Sequence, residues 1–472
     1  MYDPKSLKAE EFIDHGEVME TLAWAEQNKT DAGLIGRVLE KARASSGLNH
    51  REAALLLDCA LPDKNEEILA LARQIKLDFY GNRIVMFAPL YLSNYCVNGC
   101  VYCPYHRTNK TISRKKLTQE DIVREVTALQ DMGHKRLALE AGEHPKMNPL
   151  EYILESIGTI YSIKHANGAI RRVNVNIAAT TVEDYRRLRD AGIGTYILFQ
   201  ETYHRASYGQ LHPTGPKHDY AWHTEAMDRA MAGGLDDVGL GVLFGLEFHR
   251  YELAAVLMHA EHLEAVHGVG PHTISVPRLR RADDVDPDAF QHGIDDDTFA
   301  KLVAVIRLAV PYTGLIVSTR ENQACREKVL ALGVSQISGG SRTSVGGYLE
   351  KEPEDDNSAQ FEVSDTRTLD EVVNWLMRLG YLPSFCTACY REGRTGDRFM
   401  SLCKAKQIQN CCHPNAIITL KEYLEDYATP ETRKLGEDLI AREMGNIPKE
   451  KIRTLVTSYL SDIHDGARDF RI

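Results

Sequence analysis

The chain has 472 residues, 43% hydrophobic and 26% charged, with a formal net charge of −11. That length accommodates one large domain with extensions, and the composition is that of an ordinary globular protein. An acidic balance without a long basic run argues against a nucleic-acid or anionic-membrane partner. No signal-peptide pattern and no apolar run of about 18 residues occurs, so the expected location is cytoplasmic and no membrane span is expected.

Residues 1–80 read as a helical extension, with Thr30, Asn49 and Asp63 placed as N-caps ahead of apolar residues at helical spacing. From Arg83 a strand, R-I-V-M-F-A-P-L-Y-L, runs straight into a cysteine-rich loop ending at His106. A helix is expected from Thr118, with Asp121 as its capping-box partner, to about Met132. Strands follow at 136–142, 173–178, 195–200, 236–246, 272–277, 315–320 and 335–340, separated by helices such as the one starting at Pro149 and V-E-D-Y-R-R-L-R-D. Eight strands, each followed by a helix or long loop, predict a (β/α)8 barrel over 81–345, with an open doubly wound sheet as the alternative. The remainder, 346–472, carries an acidic stretch, E-K-E-P-E-D-D-N, read as a solvated loop. It continues with a helix capped by Thr368 and Glu371 and further charged helices from Thr419 with Glu422 as box partner, so a mostly helical C-terminal domain is expected.

Ten cysteines in a chain without an export signal point to metal ligation rather than disulfides. Three lie at 96–103 and five at 386–412, which leaves Cys59 and Cys325 as buried small hydrophobes. Cys96, Cys100 and Cys103 have C-x3-C-x2-C spacing with Tyr102 just before the last, and no fourth ligand at comparable spacing. Structural zinc takes four ligands, whereas three thiolates suit a cubane iron–sulfur cluster with one iron left open. The second set, Cys386-x2-Cys389-x22-Cys412, has Cys403, Cys411 and His413 nearby, and its spacing also fits a Cys3His zinc site through His413. Cys411 beside Cys412 leaves the third ligand ambiguous by one residue.

In a barrel the active site lies at the carboxyl ends of the strands, where the first cysteine loop falls. Ala141-Gly142-Glu143 ends the second strand there, Gln200-Glu201-Thr202-Tyr203-His204 the fourth, and Ser318-Thr319-Arg320-Glu321 the seventh. Arg320 offers a planar fork for a carboxylate, with Ser338 as a weaker helper. The irregularly spaced His204, His212, His218 and His223 read as a loop near the mouth rather than a metal site.

The first cysteine spacing and its aromatic resemble the signature of the radical S-adenosylmethionine (SAM) enzymes. With the C-terminal three-cysteine pattern, the match extends over most of the chain to the FeFe-hydrogenase maturase HydG family. Gln200 to His204 is also similar to the tyrosine lyase of thiazole synthesis, which lacks the C-terminal cysteines. The resemblance implies that Cys96, Cys100 and Cys103 hold a 4Fe-4S cluster whose open iron is chelated by SAM. It places Tyr102, Gly142 and Glu143 with SAM, Glu201 on its ribose, and L-tyrosine as substrate, with Arg320 and Ser338 as candidates for tyrosine binding. It implies an auxiliary iron–sulfur cluster on Cys386, Cys389 and Cys412, a labile extra iron on His272, and free cysteine as a further ligand. The implied reaction is cleavage of tyrosine to p-cresol and dehydroglycine, conversion of the latter to carbon monoxide and cyanide, and delivery of an iron–dicarbonyl–cyanide unit to other hydrogenase maturation proteins. A tyrosine lyase of another pathway and a non-catalytic iron–sulfur scaffold are the alternatives.

His272, in G-P-H-T-I-S-V-P-R, opens the sixth strand and so belongs at the amino end of the barrel. Two clusters at opposite ends require a small fragment to travel through an interior that barrels normally pack with side chains. Gly239, Gly241, Ala178 and Ala179 are the small residues expected to leave room.

Overall fold

A computed structural model describes residues 1–349 and 357–472. All but the last residue of the acidic stretch that starts at 350 therefore lie outside the described residues. The barrel strands are β1 (Arg83–Ser93), β2 (Arg136–Ala141), β3 (Arg172–Asn176), β4 (Tyr196–Glu201), β5 (Val238–Val242), β6 (Thr273–Ser275), β7 (Gly314–Val317) and β8 (Gln336–Ser338). Each pairs in parallel with the next, and β8 returns to β1 through Val85↔Gln336 and Phe87↔Ser338, so the sheet is closed. The predicted strands are thus all present, and the open-sheet alternative is excluded. Parallel pairing needs long crossovers, which the intervening helices supply; strands covered on both faces account for the near-continuous burial of β1, β5 and β7.

A ninth strand, β9 (Leu382–Ser384), escaped the sequence reading. It pairs in parallel with Arg83–Val85 of β1, on the edge that β2 joins only from Ala88 onward. β1 is 11 residues long, enough for β2 to pair with its upper part and β9 with its lower part on one side. The segment after 345 therefore contributes to the main sheet, and the residues following β9 emerge beneath the barrel. A two-residue-per-strand hairpin at Lys164–His165 and Gly168–Ala169 was likewise unpredicted.

The N-terminal helices pack on the helices His249–His267 and Asp296–Ala309. Polar contacts seat them: His50 Nδ1 lies 2.9 Å from Glu261, and the Tyr2 hydroxyl donates to the same carboxylate at 2.6 Å. Asn49, Thr118 and Thr368 form complete capping boxes with Glu52, Asp121 and Glu371. Three predicted caps need correction. Asp31, not Thr30, accepts the Leu34 amide. Asp63 lies in the first turn of Pro62–Tyr80, where Pro62 starts the helix without an amide to satisfy. Thr419 and Glu422 lie inside Gln409–Asp426: the Thr419 hydroxyl donates to the Asn415 carbonyl at 2.9 Å, and Glu422 accepts from Arg171 at 2.9 Å. Among the described residues, no helix is long and apolar enough to cross a membrane.

Candidate active site and second cysteine centre

The loop after β1 is held from both sides. The Val97 amide donates to the Glu143 carbonyl at 2.8 Å, Gly99 to Thr214 at 2.9 Å and Val101 to Leu211 at 3.0 Å. Gly142 closes against it: a Cβ there would stand 2.5 Å from the Tyr95 carbonyl oxygen, so only glycine allows the approach. Glu143 accepts from the Asn98 side-chain amide at 2.6 Å. Tyr102 is buried, with its hydroxyl 2.7 Å from His212 Nε2.

Cys96, Cys100 and Cys103 line a cavity of about 230 Å³ at the carboxyl ends of the strands, together with Gly142, Glu143, Glu201, Arg320 and Ser338. Every residue expected near SAM or tyrosine, Tyr102 included, borders this space. Burial raises all three thiols, Cys100 to about 12, so a bound metal must supply the charge that makes them thiolates. Glu201 sits where the β4–β5 register shifts, at φ +67°, a conformation that non-glycine residues adopt at a cost. Its carboxylate accepts from Lys217 Nζ at 2.9 Å. The Arg320 guanidinium lies 3.6 Å over the Phe361 ring. The Ser338 hydroxyl accepts from the Thr319 amide at 3.2 Å, fixing the loop that carries Arg320.

The second set meets at the other end of the barrel. Cys386, Cys389 and Cys412 line a cavity of about 70 Å³ with His272, Arg136 and Arg172. β9 explains how: Arg136 of β2 donates to the Cys386 carbonyl at 2.8 Å, directly below the point where β2 leaves β1. Cys412 donates to Cys389, which lowers Cys389 and raises Cys412, while burial raises Cys386. The Ala388 amide donates to Cys386 Sγ at 3.4 Å, the kind of N–H···S contact that tunes iron–sulfur centres. His272 is buried, lies tilted against Phe399 with ring centroids 4.7 Å apart, and has no hydrogen bond at Nδ1. Burial pulls it down to about 4, so it is a neutral imidazole, the form that ligates metal. Cys411 and His413 do not border this cavity; His413 lines a different one and its Nε2 faces the Glu443 carbonyl at 3.2 Å.

Among the described residues, the one set of three ligand-bearing side chains whose donor atoms all lie within 4.8 Å is Asp296, Glu321 and Cys325. Arg278 fills that set, donating to Asp296 at 2.7 Å and to Glu321 at 3.0 Å, so it is an ion-pair network. In neither cysteine triad do all three sulfurs lie within 4.8 Å of one another.

Residues 90–257 match the Radical SAM superfamily and 275–382 the Biotin and Thiamin Synthesis associated domain. A crystal structure described as HydG, a maturase of the [FeFe]-hydrogenase, superposes with a TM-score of 0.95 at 54% identity, over 98% of this chain and 100% of that one. The chain belongs to the HydG family of radical SAM enzymes. HydG from Carboxydothermus hydrogenoformans aligns at 38% identity and TM-score 0.83, over 96% of this chain and 99% of that one. The 2-iminoacetate synthase of Salmonella typhimurium is 31% identical over 77% of this chain and 93% of its own length. As a HydG-family member the protein is a radical SAM lyase, and its cofactors are a 4Fe-4S cluster and SAM.

Sequence reading of this HydG-family site missed Glu140, Asn176 and Lys217, all on the upper cavity wall. The signal for Glu140 was present: in R-L-A-L-E-A, period-two alternation puts Arg136, Ala138 and Glu140 on the inward face of β2. Lys217 had no such signal, because it reaches the site from a loop and meets Glu201 only in the folded chain.

Proposed function

We propose that this HydG-family chain is a tyrosine lyase that cleaves L-tyrosine to p-cresol and dehydroglycine and converts the latter to carbon monoxide and cyanide. The observation that carries the reading is the pair of cysteine triads lining cavities at opposite ends of one barrel. Cys96, Cys100 and Cys103 hold the SAM cluster; Gly142 and Glu143 receive the methionyl end of SAM, Glu201 its ribose, and Tyr102 supports the cluster loop. When bound, the cluster and SAM supply a 5′-deoxyadenosyl radical. The protein's own groups bind, orient and screen the substrate from water. Arg320 takes the tyrosine carboxylate and Ser338 keeps its loop in register. Cys386, Cys389 and Cys412 hold an auxiliary cluster, with His272 on an extra iron that free cysteine completes. The product, an iron–dicarbonyl–cyanide unit, goes to the other proteins of hydrogenase maturation.

Anaerobic reconstitution with iron and sulfide, then SAM and tyrosine, is expected to yield 5′-deoxyadenosine, p-cresol, cyanide and carbon monoxide. The similarity to 2-iminoacetate synthase supports a second reading, a tyrosine lyase of thiazole synthesis type, which predicts cresol without the diatomics. SAM cleavage without cresol would overturn both.

A further inference from the structure

We propose that Glu140 is the group that recognises the α-ammonium of the amino-acid substrate, opposite Arg320, so that the cavity selects an intact zwitterion. The inference rests on the tyrosine-lyase reading and names a residue which that reading does not use.

Glu140 lies on the inward face of β2, in register with Tyr91 of β1 on one side and Asn176 of β3 on the other. Asn176 hydrogen-bonds its carboxyl group, and the Tyr91 hydroxyl is turned to Gln360 at 2.9 Å. Arg320 reaches the same space from the loop after β7 and acts on Glu140 electrostatically. Among the described residues neither Glu140 nor Arg320 is part of an ion pair within 4.0 Å. The other acids of this cavity are committed: Glu143 to Asn98 and Glu201 to Lys217.

Two half-buried groups able to carry opposite charge face one space without touching, so a ligand of complementary charge gains at both. An α-amino acid carries an ammonium and a carboxylate on one carbon, and bridging the pair with it satisfies both. The carboxylate goes to the guanidinium fork, leaving the ammonium to Glu140 and Asn176. Around them, Tyr91, Phe361 and Phe87 offer apolar and aromatic surface for the side chain. Burial also raises Glu140 to about 8, as a carboxyl awaiting a counter-charge would be.

The test compares L-tyrosine with 3-(4-hydroxyphenyl)propanoate, which lacks the amine, and tyramine, which lacks the carboxylate. Equilibrium dialysis against the anaerobically reconstituted enzyme with SAM gives each affinity. Glu140→Gln is expected to weaken tyrosine binding at least about tenfold while changing the propanoate less than about twofold. Glu140→Asp should restore part of the preference. Arg320→Met should instead remove the discrimination against tyramine. Iron content and SAM binding, measured on the same preparations, report an intact upper site. Equal tyrosine affinity in Glu140→Gln, or equal losses for tyrosine and the propanoate, would overturn the proposal alone. Wild-type enzyme that binds no tyrosine would overturn the lyase reading and this proposal with it.

Discussion

Cys411 and Cys412 are adjacent, yet only Cys412 borders the cavity beneath the barrel with Cys386 and Cys389. With the auxiliary cluster proposed above, Cys412→Ser should therefore lose about four iron atoms per chain for a cubane, and the extra iron with them. Cys411→Ser should lose none; iron analysis and EPR of anaerobic preparations check both. Glu140 makes a second prediction, in pH. The groups facing it are Tyr91, Asn176, Arg320 and Glu201, and burial raises it to about 8. Below that value the carboxyl is neutral and must release a proton to pair with an ammonium. Tyrosine affinity should consequently rise as pH goes from about 6 to about 8 and level off above, with proton uptake by buffer visible in calorimetry. In Glu140→Gln that rise should vanish.

At the scale of elements, capping explains which helix starts were readable. Asn49 and Thr368 act through neighbours three residues away, so their signals are local. Asn49→Ala should cost about 1 kcal/mol, seen as a lower thermal midpoint with iron content unchanged. Thr419 looked like a cap because the same residue types satisfy a helix interior, where its hydroxyl returns to Asn415. β9 was invisible for a different reason: a three-residue strand with a proline has almost no periodic signal, and its partner is some 300 residues earlier. Gly142 joins two elements, β2 and the first cysteine loop. Gly142→Ala must push its Cβ against the Tyr95 carbonyl, and SAM binding should fall at least about tenfold while the second set keeps its iron.

Across the whole molecule the two cavities stack along the barrel axis. The upper is lined by Phe87, Ala138, Ile316 and Ser338, the lower by Val85, Arg136, Gly314 and Gln336, each two residues earlier on the same strand. They are successive inward layers, about 7 Å apart, and they depart from the branched apolar filling usual in such barrels. Thr273 has a hydroxyl without a hydrogen-bond partner, and a Cβ on Gly239 would stand 2.6 Å from it and 3.1 Å from Ile197. If a glycine-sized fragment passes this way, Gly239→Val should leave cresol formation within about threefold and sharply lower cyanide, measured in one assay. Equal yields of both products would place the route elsewhere.

The cysteine spacing, the alternation of strands and helices, and the side chains at the carboxyl ends of strands were all legible in the chain itself. Each depends on residues within about a dozen positions of one another, where local geometry and period decide the outcome. Pairings across the fold were decided only by tertiary structure. Lys217 against Glu201, Glu140 across from Arg320, and β9 beneath β2 each join segments that no local period relates. Barrel closure and strand register bring those segments together, and no local pattern encodes either.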